Sequence, residues 1–290
     1  MKAIHVRCPA KVNLTLEIIG KRPDGYHELR TIFQAVSLYD ELIVAPAARD
    51  SLTVTGLTGA PADDSNLCLK ALRLFRSQLD LTVPVAITLD KHIPLQAGLG
   101  GGSSDAAGML VALARLRGGA PPLDGLAAQL GSDVAFFLHG GAMLGSGRGE
   151  ILAPLPPLAE GALVLALPPV AMSTAEAYGL LGPGDYSDGG HTRRLASCLR
   201  AGCALPEVAA EMYNGFTGPV ERHRPEIAGL FQRLLELHAQ AVLLCGSGAA
   251  VYGLLDTRAR ADDVATRLRA DGLWAAAVSP ERDALQVTEQ

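Results

Sequence analysis

Between residues 98 and 105 the chain reads Gly-Leu-Gly-Gly-Gly-Ser-Ser-Asp, and the segment behind it, Ala106 to Arg117, is almost wholly apolar. A glycine run at the mouth of a buried helix has one clear physical use. Backbone without side chains lets N–H groups approach an anion closely, and the first helical turn adds unpaired donors and a partial positive charge. Ser103 and Ser104 stand where they would cap the helix or reach a phosphate or its Mg²⁺. The alternative is a tight strand-to-helix turn with no ligand. Four glycines in five positions, followed by Ser-Ser and a buried helix, weigh against it. Two common phosphate loops are excluded. Gly-x-x-x-x-Gly-Lys-[Ser/Thr] needs a lysine that is missing between Gly98 and Ser104, and Gly-x-Gly-x-x-Gly counted from Gly98 ends on Ser103. A polyphosphate ligand on the 98–104 segment is therefore expected.

At 290 residues the chain is long enough for about two domains. Pro154, Pro156 and Pro157 mark the candidate boundary within residues 153–160. Before it, residues 4–19 alternate as a strand, residues 20–28 form a turn, and 31–37, 41–45 and 51–55 read as short strands of an antiparallel meander. Asn66 to Leu79 has helical spacing with Leu67, Leu69, Leu72, Leu74 and Phe75 inward, and 85–89 is a strand. A short helix over 123–130 leads to Gly131-Ser-Asp133. After the boundary, strands are expected at 163–167, 241–244, 251–255 and 273–278, with helices at 206–212, 225–238 and 261–270. That order suggests an α/β sandwich with antiparallel strands.

The balance of 25 Lys+Arg against 30 Asp+Glu, net −5, argues against a nucleic-acid partner but not against one local basic pocket. No stretch reaches the length of a membrane span, and residues 1–8 lack a signal core, so a cytoplasmic protein is expected. Five cysteines without a Cys-x-x-Cys pair read as reduced thiols, and the seven scattered histidines form no zinc spacing.

With aromatics at only 4%, Asp24-Gly-Tyr-His27 stands out: Tyr26 could stack on a base and His27 read its edge, or the turn could carry them incidentally. Lys11 and Asn13, two apart, share one strand face, which serves either an anion site or simply solvent. Asp133 either caps the apolar helix that follows it or acts in chemistry.

Taken together, PAKVNLTLEI, RPDGYHEL, IPLQAGLGGGSSDAA, LGSDVAFFL and GSGAAVYG resemble the GHMP kinase superfamily, from about residue 6 to residue 255. Asp-Gly-Tyr-His points to its branch acting on a cytidine-diphosphate-linked methylerythritol. The resemblance implies an α+β two-domain fold: a ribosomal-protein-S5-like N-terminal domain over 1–155 and a ferredoxin-like C-terminal domain over 156–290, leaving open that the last strand packs back on the first domain. It implies ATP-dependent phosphorylation of the 2-hydroxyl of that small-molecule substrate in non-mevalonate isoprenoid synthesis, with Mg²⁺, by a monomer or homodimer. Lys11 and Asp133 then correspond to the catalytic pair. Gly98, Leu99, Gly100, Gly101, Gly102, Ser103, Ser104, Asn66 and Lys91 fall at the nucleotide, with Ser104 near the metal. Asn13, Tyr26, His27, Thr174, Tyr178, Gly246, Ser247 and Gly248 fall at the acceptor. Two positions depart from the pattern: Gly215 follows Asn214 where an acidic residue is common, and Ala175 follows Thr174 where proline is common. Another GHMP small-molecule kinase, of homoserine or mevalonate type, and a non-catalytic nucleotide- or RNA-binding module are the competing readings.

Overall fold

A computed structural model describes residues 2–289. The first half comprises β1 (Ile4–Lys21), β2 (His27–Pro46), β3 (Ser51–Gly56), α1 (Leu67–Gln78), β4 (Val85–Lys91), α2 (Gly101–Arg117), α3 (Asp124–Leu130), α4 (Val134–His139), β5 (Ala142–Gly147) and β6 (Ile151–Leu155). The second comprises β7 (Ala162–Leu167), α5 (Thr174–Gly179), α6 (Gly190–Ala201), α7 (Leu205–Glu211), β8 (Tyr213–Asn214), α8 (Thr217–His223), α9 (Pro225–Glu236), β9 (Ala241–Leu244), β10 (Val251–Leu255), α10 (Arg258–Ala270), β11 (Trp274–Val278) and β12 (Gln286–Glu289).

The strands form two sheets. The larger runs β12-β1-β2-β4-β3, with β5 and β6 continuing from β2 and β8 alongside β1; the smaller runs β11-β7-β10-β9. The proline-rich segment connects β6 of the first to β7 of the second. The strand over 273–278 sits beside β7, and a further strand the sequence reading missed, β12, returns to β1. The expected meander is corrected at β3, which pairs with β4 in parallel. A parallel neighbour needs a crossover, and α1 supplies it. The expected strands 31–37 and 41–45 are one strand, because β2 absorbs two extra residues as a bulge opposite Pro9/Ala10.

Helices α1 and α2 share a core with the first sheet. In α1 the innermost residues include Cys68 and Ala71 beside Leu72 and Phe75, while Leu67, Leu69 and Leu74 flank the core. Helix α2 lies close on β1 because Gly108 has no side chain: a Cβ there would come within 2.5 Å of Cys8 Sγ.

Strand β1 alternates strictly over residues 10–18, apolar at even and polar at odd positions. Alternation of that kind predicts one wet face. Instead both faces are buried: Lys11 is 4% exposed, Asn13 2%, and Thr15 and Glu17 0%. The odd face is covered by the site described next and by α6, whose Thr192 amide donates to Glu17 and whose hydroxyl meets that of Thr15.

Candidate active site

One cavity of about 980 Å³ collects most of the expected residues: Lys11 and Asn13, Tyr26 and His27, Lys91, Gly98 to Ser103, Asp133, Thr174 and Tyr178, Gly246 and Ser247. These come from β1, the β1–β2 turn, the β4–α2 loop, the approach to α4, helix α5 and the β9–β10 turn. Asn66, Ser104 and Gly248 do not line it.

The glycine loop forms its floor. Gly98 and Gly100 adopt φ of 76° and 75°, a region that favours glycine. Gly100 is the N-cap of α2, and no side chain caps the helix. The leading amides of α2 therefore lack intrahelical partners, and the first intrahelical bond runs from Ser104 N–H to the Gly100 carbonyl. The loop is tied to β1 by a 2.9 Å bond from the Lys11 amide to the Leu99 carbonyl, and to the β9–β10 turn by one from the Ala250 amide to the Ala97 carbonyl.

Lys11 and Asp133 meet above the loop. Lys11 Nζ lies 3.6 Å from Asp133 Oδ2 and donates to Asn13 Oδ1 at 2.8 Å. Asp133 occupies the N-cap position of α4, yet its carboxylate makes no capping bond. The capping alternative for Asp133 therefore fails, and the carboxylate, with its side chain about one-third exposed, stays available. Gly246 completes the lysine's surroundings, since a Cβ there would lie 3.3 Å from Nζ.

Three residues expected at the nucleotide are already engaged by other groups or set back from the cavity surface. Asn66 caps α1: its Oδ1 accepts from the Cys68 amide and its Nδ2 donates to the Pro61 carbonyl, so both polar ends are used. Lys91 borders the cavity, but its ammonium is buried between Asp40 and Asp105. Burial alone would lower the lysine's pKa; Asp105 and Asp40 outweigh it and raise it. Burial pushes the Asp105 carboxyl up to about 8, with Asp40 adding to the rise and Lys91 opposing it. Asp40 also accepts from the His92 and Ile93 amides, so this cluster fastens the end of β4 beneath the start of α2. Ser104 is fully buried and its hydroxyl has no partner.

At the far end, His27 stacks on Tyr178 with ring centroids 4.8 Å apart, and Tyr178 meets the edge of Phe216. Burial, followed by Lys21, lowers the His27 pKa, which keeps the ring neutral near pH 7. Burial and then the charge of Asp133 push the Tyr178 phenol up to about 12. Tyr26 is 56% exposed and lies under the Arg148 guanidinium at 4.6 Å. His27 thus stacks on Tyr178, while Tyr26 pairs with Arg148. Ser247 donates to Thr174 at 3.2 Å across the rim. Sequence reasoning missed Arg148, Phe216 and Thr31 in this cavity. Arg148 had a faint signal, a lone cation in a Gly-Ser-Gly-Arg-Gly turn.

Comparison with known proteins gives the family of the chain. Residues 66–141 match the GHMP kinases N terminal domain, and residues 198–272 match the GHMP kinases C terminal domain. A 4-diphosphocytidyl-2-C-methyl-D-erythritol kinase of Solibacter usitatus is 40% identical, covering 88% of this chain and 82% of its own length. A crystal structure of a 4-(cytidine 5'-diphospho)-2C-methyl-D-erythritol kinase is 36% identical with a TM-score of 0.81, covering 95% of this chain and 99% of that one. A homoserine kinase from Cytophaga hutchinsonii, 17% identical with a TM-score of 0.74 and covering 99% of this chain and 98% of its own, shares the fold.

Proposed function

The chain belongs to the GHMP kinase family, and on that premise we propose that it transfers the γ-phosphoryl group of ATP to the 2-hydroxyl of 4-diphosphocytidyl-2-C-methyl-D-erythritol, releasing ADP. One observation carries the reading: the Lys11–Asp133 pair stands in the same cavity as the uncapped amides of α2. A polyphosphate held by those amides points its terminal group toward the pair.

Phosphoryl transfer asks for positioning and charge stabilisation. The amides of Gly101 to Ser103 and the α2 dipole hold the phosphates. Asp133 accepts the hydrogen bond of the acceptor hydroxyl and takes its proton as the O–P bond forms and the bond to the ADP oxygen breaks. Lys11, fixed by Asn13, offsets the charge that spreads over the transferring oxygens. Of the two loop serines, Ser103 lines the cavity, and its hydroxyl is the side-chain oxygen that would reach Mg²⁺ brought in with the nucleotide, while Ser104 is buried behind it. When bound, that ion neutralises phosphate charge. Neutral His27 offers one ring nitrogen as donor and one as acceptor to the edge of the cytosine, and the aromatic rings of Tyr26 and Tyr178 offer stacking faces.

The reaction places the protein where ATP is abundant, in the cytoplasm. The test is ADP release with Mg-ATP over a panel of acceptors. Turnover with the cytidine-linked alcohol and none with homoserine or mevalonate supports the reading; turnover with either of those two alone overturns it.

A further inference from the structure

A residue outside the expected set controls which way Asn13 faces. Thr31 on β2 is 0% exposed, and a bulge in the pairing between Asn13 and Thr15 brings it beneath Asn13. Its hydroxyl donates to the Thr15 carbonyl at 2.6 Å, and Asn13 Nδ2 donates to the same hydroxyl oxygen at 2.8 Å. Chemistry fixes every direction in this chain. A carbonyl only accepts, so the Thr31 proton is spent on Thr15. The Thr31 oxygen is then left as an acceptor, which demands an N–H from Asn13. The amide must therefore turn its Oδ1 to the other side, where the Lys11 ammonium, a donor only, sits at 2.8 Å. The reversed amide would set two donors against each other at Lys11.

We propose that Thr31 is a positioning residue for phosphoryl transfer: by dictating the orientation of the Asn13 amide, its hydroxyl holds the Lys11 ammonium against Asp133. The proposal rests on the kinase reading above, in which Lys11 and Asp133 act on the transferring group. Without the hydroxyl, Asn13 has no acceptor to hold its amide, and Lys11 loses an oriented partner in a buried setting. Valine matches threonine in shape, so Thr31→Val removes the hydroxyl with little change in packing, and Thr31→Ser restores it.

The experiment compares steady-state kinetics of the full chain as wild type, Thr31→Val, Thr31→Ser and Asp133→Asn, with Mg-ATP and the cytidine-linked alcohol. The expected result is a kcat lowered about ten-fold or more in Thr31→Val with both KM values near wild type, since the loss falls on the transition state. Thr31→Ser regains most of the kcat. If Thr31→Val melts below the assay temperature, Thr31→Ala, which also lacks the hydroxyl, carries the same expectation. Wild-type kcat in Thr31→Val beside an inactive Asp133→Asn overturns the role of Thr31 alone, and so does a Thr31→Ser as slow as Thr31→Val. Full activity in Asp133→Asn overturns the role given to the Lys11–Asp133 pair, and a wild-type chain that releases no ADP with the cytidine-linked alcohol overturns the kinase reading itself.

Discussion

The α-carbon of Gly98 rests against the carbonyl of Cys245: a Cβ on Gly98 would lie 1.7 Å from that oxygen. The two glycine turns, one ahead of α2 and one after β9, are thereby packed backbone to backbone, and the contact joins the two sheets at the site.

Substitution at Gly98 should therefore be far costlier than at a neighbouring glycine. Gly98→Ala adds a methyl into backbone at positive φ and should destabilise the fold by about 3–5 kcal/mol. Gly102, exposed in the first turn of α2, meets nothing closer than 3.4 Å, so Gly102→Ala should stay within about 1 kcal/mol of wild type. Its effect should appear in the KM for ATP, which the extra methyl raises by crowding the amides. Urea denaturation and ATP kinetics on both variants check this, and equal destabilisation would contradict it.

The lowered pKa of His27 sets a pH signature for substrate recognition. Because burial and Lys21 disfavour the protonated ring, the neutral form persists below the ordinary histidine value of about 6.5. The KM for the cytidine-linked substrate should stay level from about pH 8 to 6.5 and rise only as the pH falls further. His27→Gln should flatten that rise while raising KM throughout. A KM that climbs already between pH 8 and 7 would contradict the assignment.

Asp105 makes a prediction about stability. Its carboxyl, raised to about 8, keeps a proton in the folded chain that the unfolded chain loses near pH 4. The stability that proton contributes is complete below the unfolded pKa and is lost as the pH rises through about 8. Asparagine carries no titrating proton, so Asp105→Asn should gain on wild type steadily as the pH rises from 5 to about 8.5. Denaturation curves at several pH values measure the difference, and a difference independent of pH would show that Asp105 does not hold the proton.

Much of this site was legible in the sequence because its chemistry is local. A glycine run before an apolar helix implies uncapped amides wherever it folds, and Lys11 and Asn13 share a face by strand geometry alone. What stayed hidden depends on partners distant in sequence. Resemblance alone places Lys91 at the nucleotide, and nothing local in the sequence shows that Asp40 and Asp105 enclose its ammonium. The polar face of β1 looked wet because Thr31 and Thr192, which satisfy it, arrive from β2 and α6. Asp133 read equally well as a cap until the helix geometry left its carboxylate unused. Helix α6 went unread as a helix, and its N-cap, Gly189, gives no side-chain capping signal.

The central claim, that Asp133 acts on the acceptor hydroxyl while the glycine loop holds the nucleotide, is tested most directly by Asp133→Asn. The measurement is kcat from ADP release alongside the equilibrium affinity for Mg-ATP. The account predicts a kcat lower by about 10²–10⁴-fold with nucleotide affinity close to wild type. Near-normal turnover, or an affinity for ATP that falls in step with kcat, would contradict it.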